Sequence, residues 1–99
     1  MTDESESGAV AEPAAGGRTP PPTFDFLVHT LFTQALMALG RIPNPITNKS
    51  LQNLDTARHF IETLAMLEVK TQGNLTTEER RLLEEIQHQL RTLYVEARP

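Results

Sequence analysis

Apolar residues recur along three stretches of the chain with the three-and-four spacing of amphipathic α-helices. The first stretch, residues 24–39, follows Thr23, a suitable N-terminal cap, and stops at Gly40. At about 100° per residue, its apolar side chains fill an arc of roughly 180°. A helix that only covers a helical hairpin needs a stripe somewhat over about 100° wide. The first helix is therefore expected to carry more apolar surface than one chain of three helices can cover.

The second and third stretches predict a helical hairpin. The second begins at Asn53 as its N-cap and stops at Gly73. The third begins at Thr76, which has capping-box spacing to Glu79. The turn between the two is short, so the helices should pack antiparallel. Their apolar sides consist of Leu54, Ala57, Phe60, Ile61, Leu64, Ala65 and Leu67 on the second helix and Leu83, Ile86, Leu90, Leu93 and Ala97 on the third.

The remaining segments complete the domain organisation. Residues 41–50 contain two prolines, cannot continue the first helix and predict a connecting loop. Residues 1–22 are rich in Ser, Gly, Ala, Glu and Pro, a composition that buries too little apolar surface to order itself. The predicted fold class is all-α: a disordered acidic, Pro-rich tail over residues 1–22, followed by a three-helix domain over residues 23–99. That domain consists of a helix, a Pro-rich loop and an antiparallel helical hairpin.

Charge and composition argue against several classes of protein. The formal net charge is −4, and the predicted domain has no basic stripe of the kind that grips phosphate backbones, which argues against direct nucleic-acid binding. The chain has no Cys, which excludes disulfides and thiolate metal sites and favours a reducing, cytoplasmic compartment. The first helix is interrupted by polar residues and is shorter than the roughly 20 residues of a membrane span. A cytoplasmic protein without a membrane segment is expected.

The candidate chemistry points to no catalytic residue, metal or cofactor. Each predicted helix contains one histidine, so together the helices could supply the three ligands of a three-histidine zinc site. However, His59 and His88 fall roughly opposite the apolar arcs of their helices and His29 lies at the border of its own, so solvated histidines are expected. No serine lies in a Gly-x-Ser-x-Gly elbow. The sequence therefore predicts a protein that is not an enzyme.

Two cations in the connecting loop offer one further site. Arg41 and Lys49 precede the second helix and could hold an anion against its N-terminus. Two isolated cations more commonly belong to a solvated loop. The sequence leaves both interpretations open.

Three segments resemble a known family. They are residues 39–45 (Leu-Gly-Arg-Ile-Pro-Asn-Pro), residues 53–58 (Asn-Leu-Asp-Thr-Ala-Arg) and residues 66–76, which include a Lys-Thr-Gln-Gly-Asn-Leu-Thr run and are followed by Glu78-Glu79. Together they are similar to the small bacterial proteins of the domain of unknown function 1844, over about residues 24–96. The resemblance implies a cytosolic bacterial helical domain with an acidic, variable N-terminal extension. It transfers no catalytic residue.

Two functions remain as hypotheses. The leading one is a non-catalytic, homo-oligomeric interaction or adaptor protein, because the wide apolar arc of the first helix needs a partner and a second copy would supply one. The alternative is an accessory factor of the ribosome or of translation, which the resemblance implies because genes of some relatives lie near translation-factor genes. The expected contact surface of the homodimer is Phe24, Leu27, Val28, Leu31, Phe32, Ala35, Leu36 and Leu39.

Overall fold

The computed structural model describes residues 19–99, and residues 1–18 of the predicted tail lie outside this part of the chain. The described residues form three α-helices: α1 (Phe24–Ala38), α2 (Leu54–Lys70) and α3 (Thr77–Ala97). The predicted fold class, an all-α domain of three helices joined by a long loop and a short turn, is confirmed.

The helices begin at the residues that the sequence predicts. Thr23 caps α1, its hydroxyl accepting a hydrogen bond of 3.0 Å from the backbone N–H of Phe26. The Asn53 side chain caps α2 by accepting a hydrogen bond of 3.1 Å from the N–H of Thr56. Each cap satisfies one of the donors that a helix N-terminus leaves without an intrahelical partner. The starts of both helices are therefore fixed by local side-chain chemistry.

A complete capping box opens α3. The N–H of Glu79 donates to the Thr76 hydroxyl over 3.1 Å, and the N–H of Thr76 donates to the Glu79 carboxylate over 2.9 Å. Two donors at the helix end are thus satisfied reciprocally. This confirms the predicted start of the third helix.

A Schellman motif ends α1. Gly40 adopts a left-handed conformation with φ +76°, its N–H donates to the Met37 carbonyl over 3.0 Å, and the N–H of Arg41 donates to the Leu36 carbonyl over 2.9 Å. This pair of bonds satisfies two carbonyls at the helix end, and a left-handed residue is required between them. Glycine meets that requirement without strain, as the sequence predicts.

The end of α2 differs from the prediction. The helix ends at Lys70, three residues before Gly73, and the Thr71 hydroxyl donates to the Leu67 carbonyl over 2.7 Å. A turn follows, closed by the N–H of Asn74 donating to the Thr71 carbonyl over 2.9 Å, with Gly73 inside it at φ +85°. Gly73 is therefore part of this turn and does not mark the last helical residue. It supplies the left-handed conformation that the reversal of the chain requires.

The core lies where the three helices meet, and each helix contacts both of the others. Because α1 packs against α2 and α3 together, its wide apolar arc is largely covered within one chain. The expected excess of apolar surface came from counting angular positions, which does not show how much of the arc α2 and α3 cover. The buried apolar residues are Val28, Ala35, Ala38 and Leu39 from α1 and its cap, Ala57, Ile61 and Leu64 from α2, and Leu83, Ile86 and Leu90 from α3.

Candidate functional site

The eight residues predicted as an oligomer interface divide into three groups in the structure. Val28, Ala35 and Leu39 are buried in the chain's own core, so they are not available to a second molecule. Four others are partly buried and pack against that core: Phe24, Leu31, Phe32 and Leu36. Leu27 alone among the eight is exposed, at 44%. The predicted surface is therefore mostly used inside the chain, with Leu27 left at its edge.

The opposite side of α1 presents an uncharged surface to solvent. We call it the outer strip and define it as Phe26, Leu27, Thr30, Thr33, Gln34 and Met37. At about 100° per residue these positions fall within an arc of roughly 120°. Phe26 is 49% exposed, and only Met37 of the six is partly buried rather than exposed. The strip therefore offers Phe26 and Leu27 to water near the start of the helix and uncharged polar side chains further along, with Met37 partly exposed at its end.

One polar side chain of the outer strip, Thr30, is compatible with burial against another protein. The Thr30 hydroxyl donates to the Phe26 carbonyl over 2.9 Å, so its proton already has an acceptor within the helix. Covering Thr30 would leave no unsatisfied hydroxyl donor, which is the main penalty for burying threonine. Its methyl group is free to contact a neighbour. Thr30 thus behaves as part of the apolar surface.

The outer strip differs in charge from the solvent-facing sides of the other helices. Between Phe24 and Ala38, the only acidic or basic side chain other than His29 is Asp25, in the first turn. The exposed side of α2, by contrast, carries an Arg58–Glu62 ion pair with an N–O distance of 3.9 Å. The exposed side of α3 carries the charged residues Glu78, Arg80, Arg81, Glu84, Glu85, Arg91 and Glu96.

A cleft adjoins the C-terminal end of the outer strip. It encloses about 260 Å³ between the end of α1, the connecting loop and the start of α2. Gln34 and Met37 of the outer strip lie on its wall, so the two surfaces are continuous. The rest of the lining consists of Ala38, Asn44, Thr47, Lys49, Leu51, Asn53, Thr56 and Phe60.

The family model of the domain of unknown function DUF1844 matches residues 21–96. The chain belongs to the DUF1844 family. The match includes α1, α2 and all of α3 except Ala97, so the outer strip and the cleft both lie within the DUF1844 domain. No curated protein and no solved structure matches the chain.

The DUF1844 domain contains one buried polar side chain that the sequence analysis missed. Gln87 of α3 is only 2% exposed. Its amide nitrogen donates to the Glu68 carboxylate over 3.0 Å, and its amide oxygen accepts from the Arg91 guanidinium over 2.8 Å. Gln87 lies beside the seam of Leu83 and Leu90, where the sequence shows only a polar residue next to apolar ones. Its partner on α2 is 19 positions away, and no local signal indicates that pairing.

The histidines of the DUF1844 domain are all exposed. The Nδ1 atom of His29 lies 2.9 Å from the Asp25 carbonyl, one turn earlier in α1. His59 makes an edge-to-face contact with its neighbour Phe60, with the ring centroids 5.3 Å apart. Over residues 19–99, no three His, Asp or Glu side chains come together in a group that could hold a metal ion.

The two loop cations have different surroundings in the DUF1844 domain. The Arg41 guanidinium forms an ion pair with Glu96 near the end of α3, over 3.2 Å. Lys49 is exposed and lies on the rim of the cleft near Asn53, the cap of α2. Arg41 is thus directed to the end of α3, whereas Lys49 remains near the start of α2. Anion binding by this pair remains a hypothesis from the sequence.

The length and the apolar character of the helices bear on membrane insertion. Within residues 19–99, no helix is both long enough and apolar enough to cross a bilayer.

Proposed function

We propose that this DUF1844 chain is a non-catalytic interaction protein that self-associates through the outer strip of α1. The observation that carries the proposal is the exposure of Phe26 and Leu27, at 49% and 44%, on a helix face without charged side chains. The cores of protein interfaces are depleted in charged residues and enriched in aromatic residues and methionine. The outer strip has this composition, whereas the exposed sides of α2 and α3 do not.

A second copy of the chain fits the outer strip because the strip is compatible with itself. In a two-fold dimer the same patch meets its own counterpart, so any charge near the axis would face a like charge. The outer strip has no charged residue to repel its counterpart. The internal hydrogen bond of Thr30 to Phe26 also removes a donor that would otherwise need a partner in the interface.

The proposal keeps the first helix as the contact element but moves the contact surface around it. Leu27 is common to the predicted interface and to the outer strip. Val28, Ala35 and Leu39 are buried, so their role is to attach α1 to the other two helices. Packing of α1 in the chain thereby fixes the direction in which the outer strip faces.

Sedimentation velocity at micromolar concentration tests the proposal, using the wild-type chain beside the Phe26→Glu and Thr30→Glu variants. We expect a wild-type dimer and variants whose dissociation constant is at least about 100-fold higher, because a buried unpaired carboxylate is strongly unfavourable. Met66→Glu on α2 is the matched control, since Met66 is also 49% exposed but lies outside the strip. It should sediment as the wild type does.

Two results would contradict the proposal. One is a monomeric wild-type chain at these concentrations. The other is a dimer that Met66→Glu weakens as much as Phe26→Glu does, which would place the contact surface elsewhere. Circular dichroism of each variant measures whether the helices are retained. We expect that they are, because Phe26 and Met66 are half-exposed and Thr30 is exposed in the monomer.

A further inference from the structure

The connecting loop is held in one conformation by its own hydrogen bonds. The N–H of Asn44 donates to the Lys49 carbonyl over 2.8 Å, and the N–H of Asn48 donates to the Asn44 carbonyl over 2.6 Å. The N–H of Ile46 donates to the Asn44 side chain over 2.8 Å. Asn48 takes a left-handed conformation with φ +59°, which asparagine tolerates better than most residues. These bonds close the loop into a tight turn.

The base of the loop is fastened to the helices as well. The N–H of Asn53 donates to the Ala38 carbonyl over 2.8 Å, and the Gln52 side chain donates to the Leu39 carbonyl over 3.3 Å. A contact made by such a loop loses little conformational entropy on binding, because the loop is already ordered.

This ordered loop presents apolar side chains to water. Ile46, at its tip, is 90% exposed, and Leu51 is 71% exposed. Ile46 is not among the residues that line the adjoining cleft, so the cleft of one chain does not receive the Ile46 of that chain. The molecule thus has a projecting apolar side chain and, next to it, a cleft with an apolar wall that includes Met37, Leu51 and Phe60.

We propose that Ile46 of each chain inserts into the cleft of the second copy. This inference rests on the proposed self-association and assigns its geometry: a reciprocal exchange of loop tips at the C-terminal end of the outer strip. In a two-fold dimer, any contact between two different surfaces occurs twice, so each copy must carry both surfaces. Here the two surfaces are Ile46 and the cleft. The site is then complete only when a second chain contributes its isoleucine.

Continuity with the outer strip favours a second copy as the occupant of the cleft, and the charge at the cleft is compatible with one. Met37 and Gln34 belong to the outer strip and to the cleft wall, so one partner molecule can cover both surfaces. Lys49 is the charged residue among those that line the cleft. Its long side chain is exposed on the rim and can keep its ammonium group in water while the apolar wall is covered.

Disulfide trapping tests this geometry, since the natural chain has no cysteine to interfere. Full-length Ile46→Cys protein is mixed with full-length Thr56→Cys protein under copper-phenanthroline oxidation, and the mixed disulfide is identified by mass spectrometry. Thr56 lies on the cleft wall. We expect this pair to form at least about ten times faster than the control pair of Ile46→Cys with Val95→Cys, because a disulfide needs closely approaching Cβ atoms. Val95 is an exposed apolar residue on α3.

A second measurement uses variants without cysteine. Ile46→Asp should raise the dissociation constant of the dimer at least about 100-fold, because it places an unpaired carboxylate in both clefts. Ile46→Val should raise it by no more than about 15-fold, as expected from the loss of one methylene in each of the two reciprocal sites. Folding should be unaffected by either change, because Ile46 is 90% exposed in the monomer.

The outcomes separate this inference from the proposed function. A Thr30→Cys protein, with its substitution in the outer strip, reports self-association through α1 independently of the loop. One outcome is a dimer trapped by Thr30→Cys while Ile46→Cys reacts no faster with Thr56→Cys than with Val95→Cys. That outcome would overturn the loop exchange and leave the proposed function standing. A chain that stays monomeric and is trapped by neither variant would overturn both.

Discussion

Gln87 on α3 and Glu68 on α2 form a hydrogen bond of 3.0 Å across the helical hairpin, although Gln87 is almost completely buried. The amide oxygen of Gln87 accepts a second bond from Arg91, so the neutral side chain lies between a carboxylate and a guanidinium. Bonds to charged partners are stronger than neutral ones, and they let a polar side chain occupy a position inside the hairpin. Gln87 therefore joins α2 to α3 through a specific pairing.

We predict that Gln87→Leu destabilises the chain by about 1 to 3 kcal/mol despite the gain in apolar character, because it removes the partner of two charged groups that are partly shielded from water. Urea unfolding followed by circular dichroism measures the change. Gln89→Leu is the matched control, since Gln89 is exposed on the same helix. Equal effects of the two substitutions would show that the bonds of Gln87 contribute nothing specific.

Gly73 provides a second prediction, which concerns the turn between α2 and α3. Its φ of +85° is left-handed, and a Cβ built there would meet nothing within 4 Å. The cost of a side chain is therefore backbone strain alone, and Gly73→Val should lower the free energy of unfolding by about 1 to 2 kcal/mol.

Gly73→Asn is the control for that strain, because asparagine adopts left-handed conformations more readily than valine. It should be less destabilising than Gly73→Val in the same urea titration. Two equally destabilising variants would contradict the strain explanation.

Self-association predicts that stability depends on protein concentration. Dissociation of the dimer accompanies unfolding, so each tenfold rise in concentration should stabilise the folded state by up to about 1.4 kcal/mol of dimer. The urea midpoint of the wild type should rise accordingly, and that of Phe26→Glu should stay constant. A midpoint independent of concentration for both proteins, at concentrations around the dissociation constant, would contradict the proposal.

Salt provides a separate check on the same interface. The outer strip has no charged side chain, so the dimer should persist between about 0.1 M and 1 M NaCl, where the Debye length falls from about 10 Å to about 3 Å. Sedimentation velocity at both salt concentrations measures this. An association that disappears at the higher concentration would indicate an electrostatic contact instead.

The features of the fold that the sequence predicted correctly are local ones. Thr23, Asn53 and Thr76 each bond to a backbone N–H three residues further along the chain, so each cap can be inferred from a short window of sequence. The end of α2 was predicted less well. Gly73 indicated a stop, but the helix ends at Lys70 because the chain must leave the helix before the turn that uses the glycine.

Features that depend on distant parts of the chain could not be predicted. The width of the apolar arc on α1 suggested uncovered surface at Val28 and Ala35, yet both are fully buried within the chain. The angular positions of side chains do not show how much of such an arc the neighbouring helices cover. Phe26 lay outside the predicted interface, since the sequence shows its angular position but not its exposure. Gln87 depends on Glu68, and a polar residue within a helical pattern gives no indication of such a partner.

The sequence separations of the contacts between helices bear on the order in which they form. Glu68 and Gln87 are 19 positions apart, whereas Arg41 and Glu96, which connect the end of α1 to the end of α3, are 55 positions apart. Closing the longer loop costs about 1 kcal/mol more entropy than closing the shorter one. The junction of α1 with α2 is as local as the hairpin, since Gln52 and Leu39 are only 13 positions apart. The contacts between α1 and α3 are therefore expected to form last. Until α1 meets α3, the core of the folding chain stays open to water on one side, while Phe26 is exposed before and after that step.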